Sequence, residues 1–311
     1  MIYLRMRGGR LGNQMFQYAF ARMLKEANPG EEIRFNYDDV IAQHVKEGDG
    51  YENSLRYFNV EDSGKLFTIS KVLTIPQKAL LKVYAFFYPH VNNSQMDVKA
   101  VYELKWCRIL ALFGIYRNDY GCFQFPFKKK KYLRNLYLYG TFESDKYFSP
   151  IRNILLKEFT PKLPILERNG ALYKIIEKTN SVAISIRRGD FLSISAHNVC
   201  TKNYFERAIL KAKEDIPNPV FFFFSDDIDW VKKNVRVEND CYYESGNDPV
   251  WETLRLMYSC KHFIISNSTF NWWAQYLGRY PEKKVYAPKK WYNSNYIPDI
   301  FQSNWTLIDV E

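Results

Sequence analysis

The feature that most restricts the fold of this chain is an alternation in its C-terminal half. Apolar runs at 182–186, 220–224, 241–243, 262–265 and 284–287 have strand length. The first four are each followed by helix-length segments, at 202–214, 228–234, 251–259 and 269–277. Near-continuous apolar strands separated by helices predict an α/β fold with a parallel sheet covered on both faces. Ligands of such sheets bind beyond the carboxyl ends of the strands, so the residues that follow each run are the place to look for chemistry.

The N-terminal end opens in the same manner. A strand at 2–6 runs into Gly8-Gly9-Arg10-Leu11-Gly12, and a helix follows over 13–27. Strand, glycine turn and helix begin a Rossmann-like unit. The middle third offers amphipathic helical pieces at 75–88 and 101–113 and a strand near 136–139. Thr160-Pro161-Lys162-Leu163-Pro164 breaks the pattern and sets the expected boundary, with domains at 1–164 and 165–311.

Charge narrows the partners. The 311 residues carry a formal net charge of +10, which suits an anionic ligand: nucleic acid, acidic lipid or a phosphorylated small molecule. No zinc-finger spacing and no RNP-like aromatic strand accompanies that charge, so no nucleic acid is expected. Lys128-Lys129-Lys130-Lys131 is the densest cationic run. It reads either as a solvated loop or as a foothold on an anionic membrane, where each such residue contributes ~1 kcal/mol. Aromatic residues make up 17% of the chain, and most must serve the core.

Five cysteines (Cys107, Cys122, Cys200, Cys241 and Cys260) lie scattered without a C-x-x-C pair, which suggests free thiols in a reducing compartment. No signal peptide is expected, because the first strand begins at once. The apolar stretches at 79–91 and 107–116 fall short of the ~20 residues a membrane span needs. The expected location is cytoplasmic, with peripheral contact on the inner membrane face under the second reading of the lysine run.

Three strand ends carry candidate chemistry. The first runs into Arg187-Arg188-Gly189-Asp190. Two planar, permanently charged guanidiniums at a turn suit a diphosphate, although a surface ion-pair turn has the same composition. The second ends at Ser225-Asp226-Asp227. Asp227 fits a helix N-cap, whereas Asp226 at the tip could accept two N–H bonds from a guanine edge. Asp227-Ile228-Asp229 also has the D-x-D spacing of metal-dependent sugar transferases, but its place in a helix's first turn points to capping, and no metal is expected. The third ends at Ser266-Asn267-Ser268-Thr269, small polar residues at a helix start where unpaired N–H groups make an anion site. Trp272-Trp273 behind them reads as packing.

At these residues the chain resembles glycosyltransferase family eleven, the α-1,2-fucosyltransferases. Gly9-Arg10-Leu11-Gly12-Asn13-Gln14-Met15-Phe16-Gln17-Tyr18-Ala19 is similar to G-x-L-G-N-Q-x-F-Q-Y-A, and Gly140-Thr141-Phe142-Glu143-Ser144-Asp145-Lys146-Tyr147-Phe148 to G-Y-x-Q-S-E-K-Y-F. Ser185-Ile186-Arg187-Arg188-Gly189-Asp190-Phe191 resembles H-x-R-R-G-D-Y. Phe224-Ser225-Asp226-Asp227 resembles F-S-D-D, and Asn267-Ser268-Thr269-Phe270-Asn271-Trp272-Trp273 resembles N-S-T-F-S-W-W.

The resemblance implies a GT-B-like fold, two Rossmann-like domains facing a cleft, with GDP-fucose as co-substrate and neither cofactor nor metal. It further implies that Arg187 binds the β-phosphate with Arg188 beside it, that Asp226 reads guanine, and that Asn267, Ser268, Thr269 and Phe270 line the diphosphate. Gly9, Arg10, Asn13 and Gln14 would lie on the acceptor side. Ser185 stands where the family has histidine; it can hydrogen-bond but cannot stack or carry charge. Glu143 replaces a glutamine and adds an acid. The implied reaction is inverting transfer of fucose to the 2-hydroxyl of a galactose-terminated glycan, lipid-linked or free. The resemblance does not assign a general base; among the chain's own carboxylates Asp190 is the first candidate and Glu143 the second, and positioning alone is the alternative. Another GDP-linked deoxysugar donor, or a non-catalytic carbohydrate- or nucleotide-binding protein, are the alternatives.

Overall fold

The computed structural model describes residues 1–45, 50–61, 63–92, 95–120 and 135–311. Lys128, Lys129, Lys130, Lys131 and Cys122 lie outside them. The chain divides into two units, Met1–Thr160 with Pro298–Phe301, and Pro161–Ile297 with Gln302–Glu311. Both are α/β, with parallel sheets and helices, as the sequence predicts.

The first unit is built from β1 (Ile2–Met6), α1 (Leu11–Ala27), β2 (Ile33–Asn36), α2 (Asp38–Ile41), α3 (Ile69–Val72), α4 (Ile75–Phe86), α5 (Met96–Leu112), β3 (Ile115–Asn118), β4 (Leu136–Gly140) and α6 (Arg152–Glu158). The sheet order is β2-β1-β4-β3, with every pair parallel. Ile2, Leu4 and Met6 of β1 point into the core, and α1 covers them with Met15, Phe16, Ala19 and Phe20. The sequence misses β3 for a physical reason. Arg117 and Asp119 read as loop, yet both are half-buried beside Arg7, whose Nε donates to Asp119 Oδ1 at 2.9 Å. Helix α5 starts five residues earlier than its periodicity suggests.

The second unit comprises α7 (Gly170–Lys178), β5 (Asn180–Ile186), α8 (Lys202–Asp215), β6 (Pro219–Ser225), α9 (Ile228–Asn234), β7 (Cys241–Tyr243), α10 (Val250–Ser259), β8 (His262–Ile265), α11 (Thr269–Leu277), β9 (Val285–Pro288) and β10 (Thr306–Ile308). Its parallel sheet has the order β10-β9-β8-β5-β6-β7. Counted from β5, that is the doubly wound 3-2-1-4-5-6 arrangement of dinucleotide-binding folds, with a switch point between β5 and β8. Burial explains the apolar runs: Phe221, Phe222, Phe223 and Phe224 are all inside, and Phe222 and Phe223 stack on Tyr242 and Tyr243 of the neighbouring strand. Helix α8 is tied to the sheet by Tyr204, whose hydroxyl donates to the Ile265 carbonyl at 2.5 Å.

Cys107, Cys200, Cys241 and Cys260 are free thiols. Among the described residues no helix is long and apolar enough to cross a membrane.

Candidate functional site

Strand register brings the three tips together in the second unit. Central β5 pairs Ile186 with Ser225 of β6 on one side and Ser185 with Ile265 of β8 on the other. Arg187 therefore leaves the sheet beside Asp226, and the segment from Ser266 to Ser268 leaves it on the opposite flank. This is the switch point, where flanking connections diverge and leave a crevice.

Arg187 is held between two carboxylates. Its Nη2 donates to Asp190 Oδ1 at 2.5 Å, and its Nη1 lies 2.6 Å from Asp226 Oδ2. The Phe191 ring covers the guanidinium, 5.6 Å from its carbon to the centroid. Asp226 spends its other oxygen on the Arg188 backbone N–H, at 2.9 Å. Gly189 makes this approach possible, since a Cβ there would come within 2.6 Å of Asp226 Oδ2. The guanine-reading candidate is thus engaged by the arginine turn.

The second arginine turns elsewhere. Arg188 lays its guanidinium 3.6 Å above the Trp230 ring and donates from Nε to Asp227 Oδ2 at 3.1 Å. Asp227 is the N-cap of α9, accepting from the Trp230 N–H at 3.2 Å. Among the described residues no group of three or more His, Cys, Asp or Glu side chains is arranged to hold a metal.

On the other flank, α11 begins without a side-chain cap: Ser268 is extended and its hydroxyl bonds no first-turn N–H. Thr269 and Phe270 are partly exposed in that turn. Asn267 serves the protein with its carboxamide, which donates to the carbonyls of His197 and Trp291, each at 2.9 Å, and accepts from the Cys200 thiol at 3.4 Å. Burial pushes that thiol up to about 12, so it stays protonated. Trp272 and Trp273 are fully buried and pack on each other and on Tyr276, as core rather than sugar platform.

Beneath the tips lies a buried polar triad. Ser185 Oγ donates to Asn271 Oδ1 at 2.6 Å, and Asn271 Nδ2 donates to Ser266 Oγ at 2.5 Å and to the Ser185 carbonyl at 3.4 Å. Ser185 and Asn271 are both positions where the motif letters depart, histidine and serine being the family's residues. The sequence shows each departure; only the structure shows that the two touch. Sequence reasoning also passed over His197, whose ring lies between Phe191 and Tyr292. Burial lowers its pKa, and the nearby Asp190 opposes that shift. Its scarcity, one of four histidines in the chain, was the available signal.

The first unit has its own glycine turn. Gly8 and Gly9 adopt φ of +98° and +84°, and a Cβ on Gly9 would fall within 2.7 Å of Asn13 Cβ. Arg10 is the N-cap of α1 and lies over the Tyr51 ring, and Asn13 sits in the first turn, partly exposed. Gln14 is fully buried: its Nε2 donates to the carbonyls of Gly9 and Glu52, and its Oε1 accepts from the Ser54 N–H. Glu143 is buried just beyond β4, 6% exposed.

The sequence profile of glycosyl transferase family 11 matches residues 1–309. An α-1,2-colitosyltransferase of Escherichia coli is 35% identical over 161 residues, 49% of this chain and 55% of that protein. The O-antigen biosynthesis glycosyltransferase WbnK of the same species is 25% identical over 96% of this chain and 97% of its own length. The mouse galactoside 2-α-L-fucosyltransferase Sec1 is 27% identical over 42% of this chain and 39% of its own length. The chain thus spans about half the colitosyltransferase and less of the mouse enzyme. The crystal structure of the fucosyltransferase NodZ from Bradyrhizobium superposes with a TM-score of 0.50 at 15% identity, covering 88% of this chain and 92% of the other, and shows a shared fold.

Proposed function

The chain belongs to glycosyl transferase family 11, and from that membership we propose that it moves L-fucose from GDP-β-L-fucose to the 2-hydroxyl of a galactoside, with inversion at the anomeric carbon. One observation carries this reading. Arg187 stands at the switch point between two carboxylates, on the other side of β5 from the start of α11, which has no side-chain cap.

A diphosphate entering there would take the Arg187 guanidinium and the first-turn N–H groups of α11, with Ser268, Thr269 and Phe270 lining it and Asn267 holding the loop in shape. As the acceptor oxygen bonds to the anomeric carbon, the bond to the β-phosphate oxygen breaks, and the negative charge that develops on GDP meets a fixed cation. The same exchange would release Asp190 from Arg187, leaving a carboxylate to take the proton from the attacking hydroxyl. Asp226, freed likewise, could accept from the guanine edge. Glu143 and the turn at Gly9, Arg10, Asn13 and Gln14 belong to the acceptor side in this reading. No residue is assigned to a metal. The four described free thiols agree with a cytoplasmic location.

A second donor is favoured by the colitosyltransferase relative and by Ser185: another GDP-linked deoxysugar in place of fucose. Incubation with GDP-fucose and a panel of β-galactosides, with linkage analysis of the product, tests the main reading. An α-1,2-fucosylated product and stoichiometric GDP release support it. Turnover with other GDP-deoxysugars but not GDP-fucose transfers the assignment to the second donor, and GDP-sugar binding without GDP release would make the protein a non-catalytic binder.

A further inference from the structure

The helical insertion of the first unit has an unusual outer surface. α4 and α5 pack together through Tyr84, Tyr88, Tyr102 and Trp106, and the Tyr102 hydroxyl donates to the Tyr84 carbonyl at 2.7 Å. Their inward faces follow the amphipathic rule, with Gln77, Tyr84, Cys107 and Leu110 buried. The outward faces do not. Ile75 is 84% exposed, Phe86 80%, Leu112 71% and Phe87 61%, with Val101 and Leu104 each half exposed. Ile75 and Phe86 lie eleven residues apart, three helical turns, and so share one face of α4; Val101 and Leu112 repeat that spacing on α5.

Large apolar side chains repeated along the outer face of a helix and left to solvent mark a contact that the isolated chain does not make. The charges around them identify the partner. Lys78, Lys82, Lys105 and Arg108 are exposed on the same two helices, against the single exposed acid Asp97. Among the described residues no carboxylate pairs with Lys82, Lys105 or Arg108. Apolar side chains interspersed with unpaired cations are the composition of an element that lies in a bilayer interface. A second copy of this face would bring cation against cation across a two-fold contact, which disfavours self-association.

We propose that the outer face of α4 and α5 docks on an anionic lipid surface, Phe86, Phe87 and Leu112 entering the acyl boundary while Lys82, Lys105 and Arg108 meet the headgroups. This inference does not depend on the identity of the donor sugar.

Vesicle flotation with the full chain tests it. Wild-type protein is expected to float with vesicles containing phosphatidylglycerol, to do so less at high salt, and to bind pure phosphatidylcholine weakly. Phe86→Ser combined with Leu112→Ser, and separately Lys82→Glu combined with Lys105→Glu, should each lower the partition coefficient at least about tenfold. Both variants should keep the wild-type melting temperature and affinity for GDP, since these side chains contact solvent. Absence of flotation on anionic vesicles, or flotation undiminished in both variants, would overturn the proposal. So would a concentration-dependent dimer in sedimentation that the Phe86/Leu112 variant dissolves, which would assign the face to a second copy.

Discussion

Arg187 meets two carboxylates at 2.5 and 2.6 Å, and the proposed reaction requires that a diphosphate replace them. Arg187→Ala is expected to lower kcat by a factor on the order of 10²–10³, the usual loss when one donor to a developing anion is removed. Circular dichroism should remain that of the wild type. Near-normal turnover in a folded variant would remove the leaving-group role. At the neighbouring triad, Ser185→His places an imidazole against Asn271, and Asn271→Ser leaves the Ser185 hydroxyl without its acceptor. Each single change should cost about 1–3 kcal/mol, because a buried polar group loses its partner. The double change restores the family's pair and should cost less than the sum, a coupling measurable by denaturant titration of all four proteins. Strict additivity would mean that the two departures are independent.

At the scale of elements, the N-terminal turn shows how a buried amide organises a loop. Gln14 makes three hydrogen bonds from within α1, to Gly9, Glu52 and Ser54, so Gln14→Ala should destabilise the chain by about 1–3 kcal/mol, seen as a lower denaturant midpoint with unchanged slope. Those bonds give Gln14 a structural duty in shaping the turn. Legibility followed burial. The strands β5, β6 and β8 are buried on both faces, and their apolar runs could be read directly. β3 was hidden because Arg117 and Arg7 share the Asp119 carboxylate at half-buried positions, which no local pattern reveals. The strand-tip residues were legible for the same reason as the strands: a turn after a buried run must begin near the sheet edge. The partners those residues choose were not. Arg188 stacking on Trp230, Asn267 bracing two loops, and Ser185 meeting Asn271 all depend on contacts between distant segments.

For the whole molecule, two buried groups give the two units opposite responses to pH. Burial, with Asp119 beside it, pushes the Glu103 carboxyl in the first unit up to about 8. The native group keeps its proton where the unfolded chain has lost it, so stability falls as pH rises from about 4.5 to about 8. In the second unit, burial and the cations Lys284 and Lys261 push His262 down to about 4. Its native ring stays neutral, accepting from the Lys284 N–H, where the unfolded ring binds a proton, so this contribution rises between about pH 4 and 6.5. Melting temperatures of Glu103→Gln across that range should show a flatter decline toward alkaline pH than wild type; an unchanged profile would exclude Glu103 as its source. The net charge of +10 draws anions to the surface at large, yet Arg187 is already neutralised by its own neighbours. A stray phosphate or sulfate ion must compete with two carboxylates for one guanidinium and brings no base or sugar to anchor it elsewhere. On the proposed reading the arginine turn is therefore guarded against abundant small anions, and a ligand gripped at several points at once is what unlocks the cation.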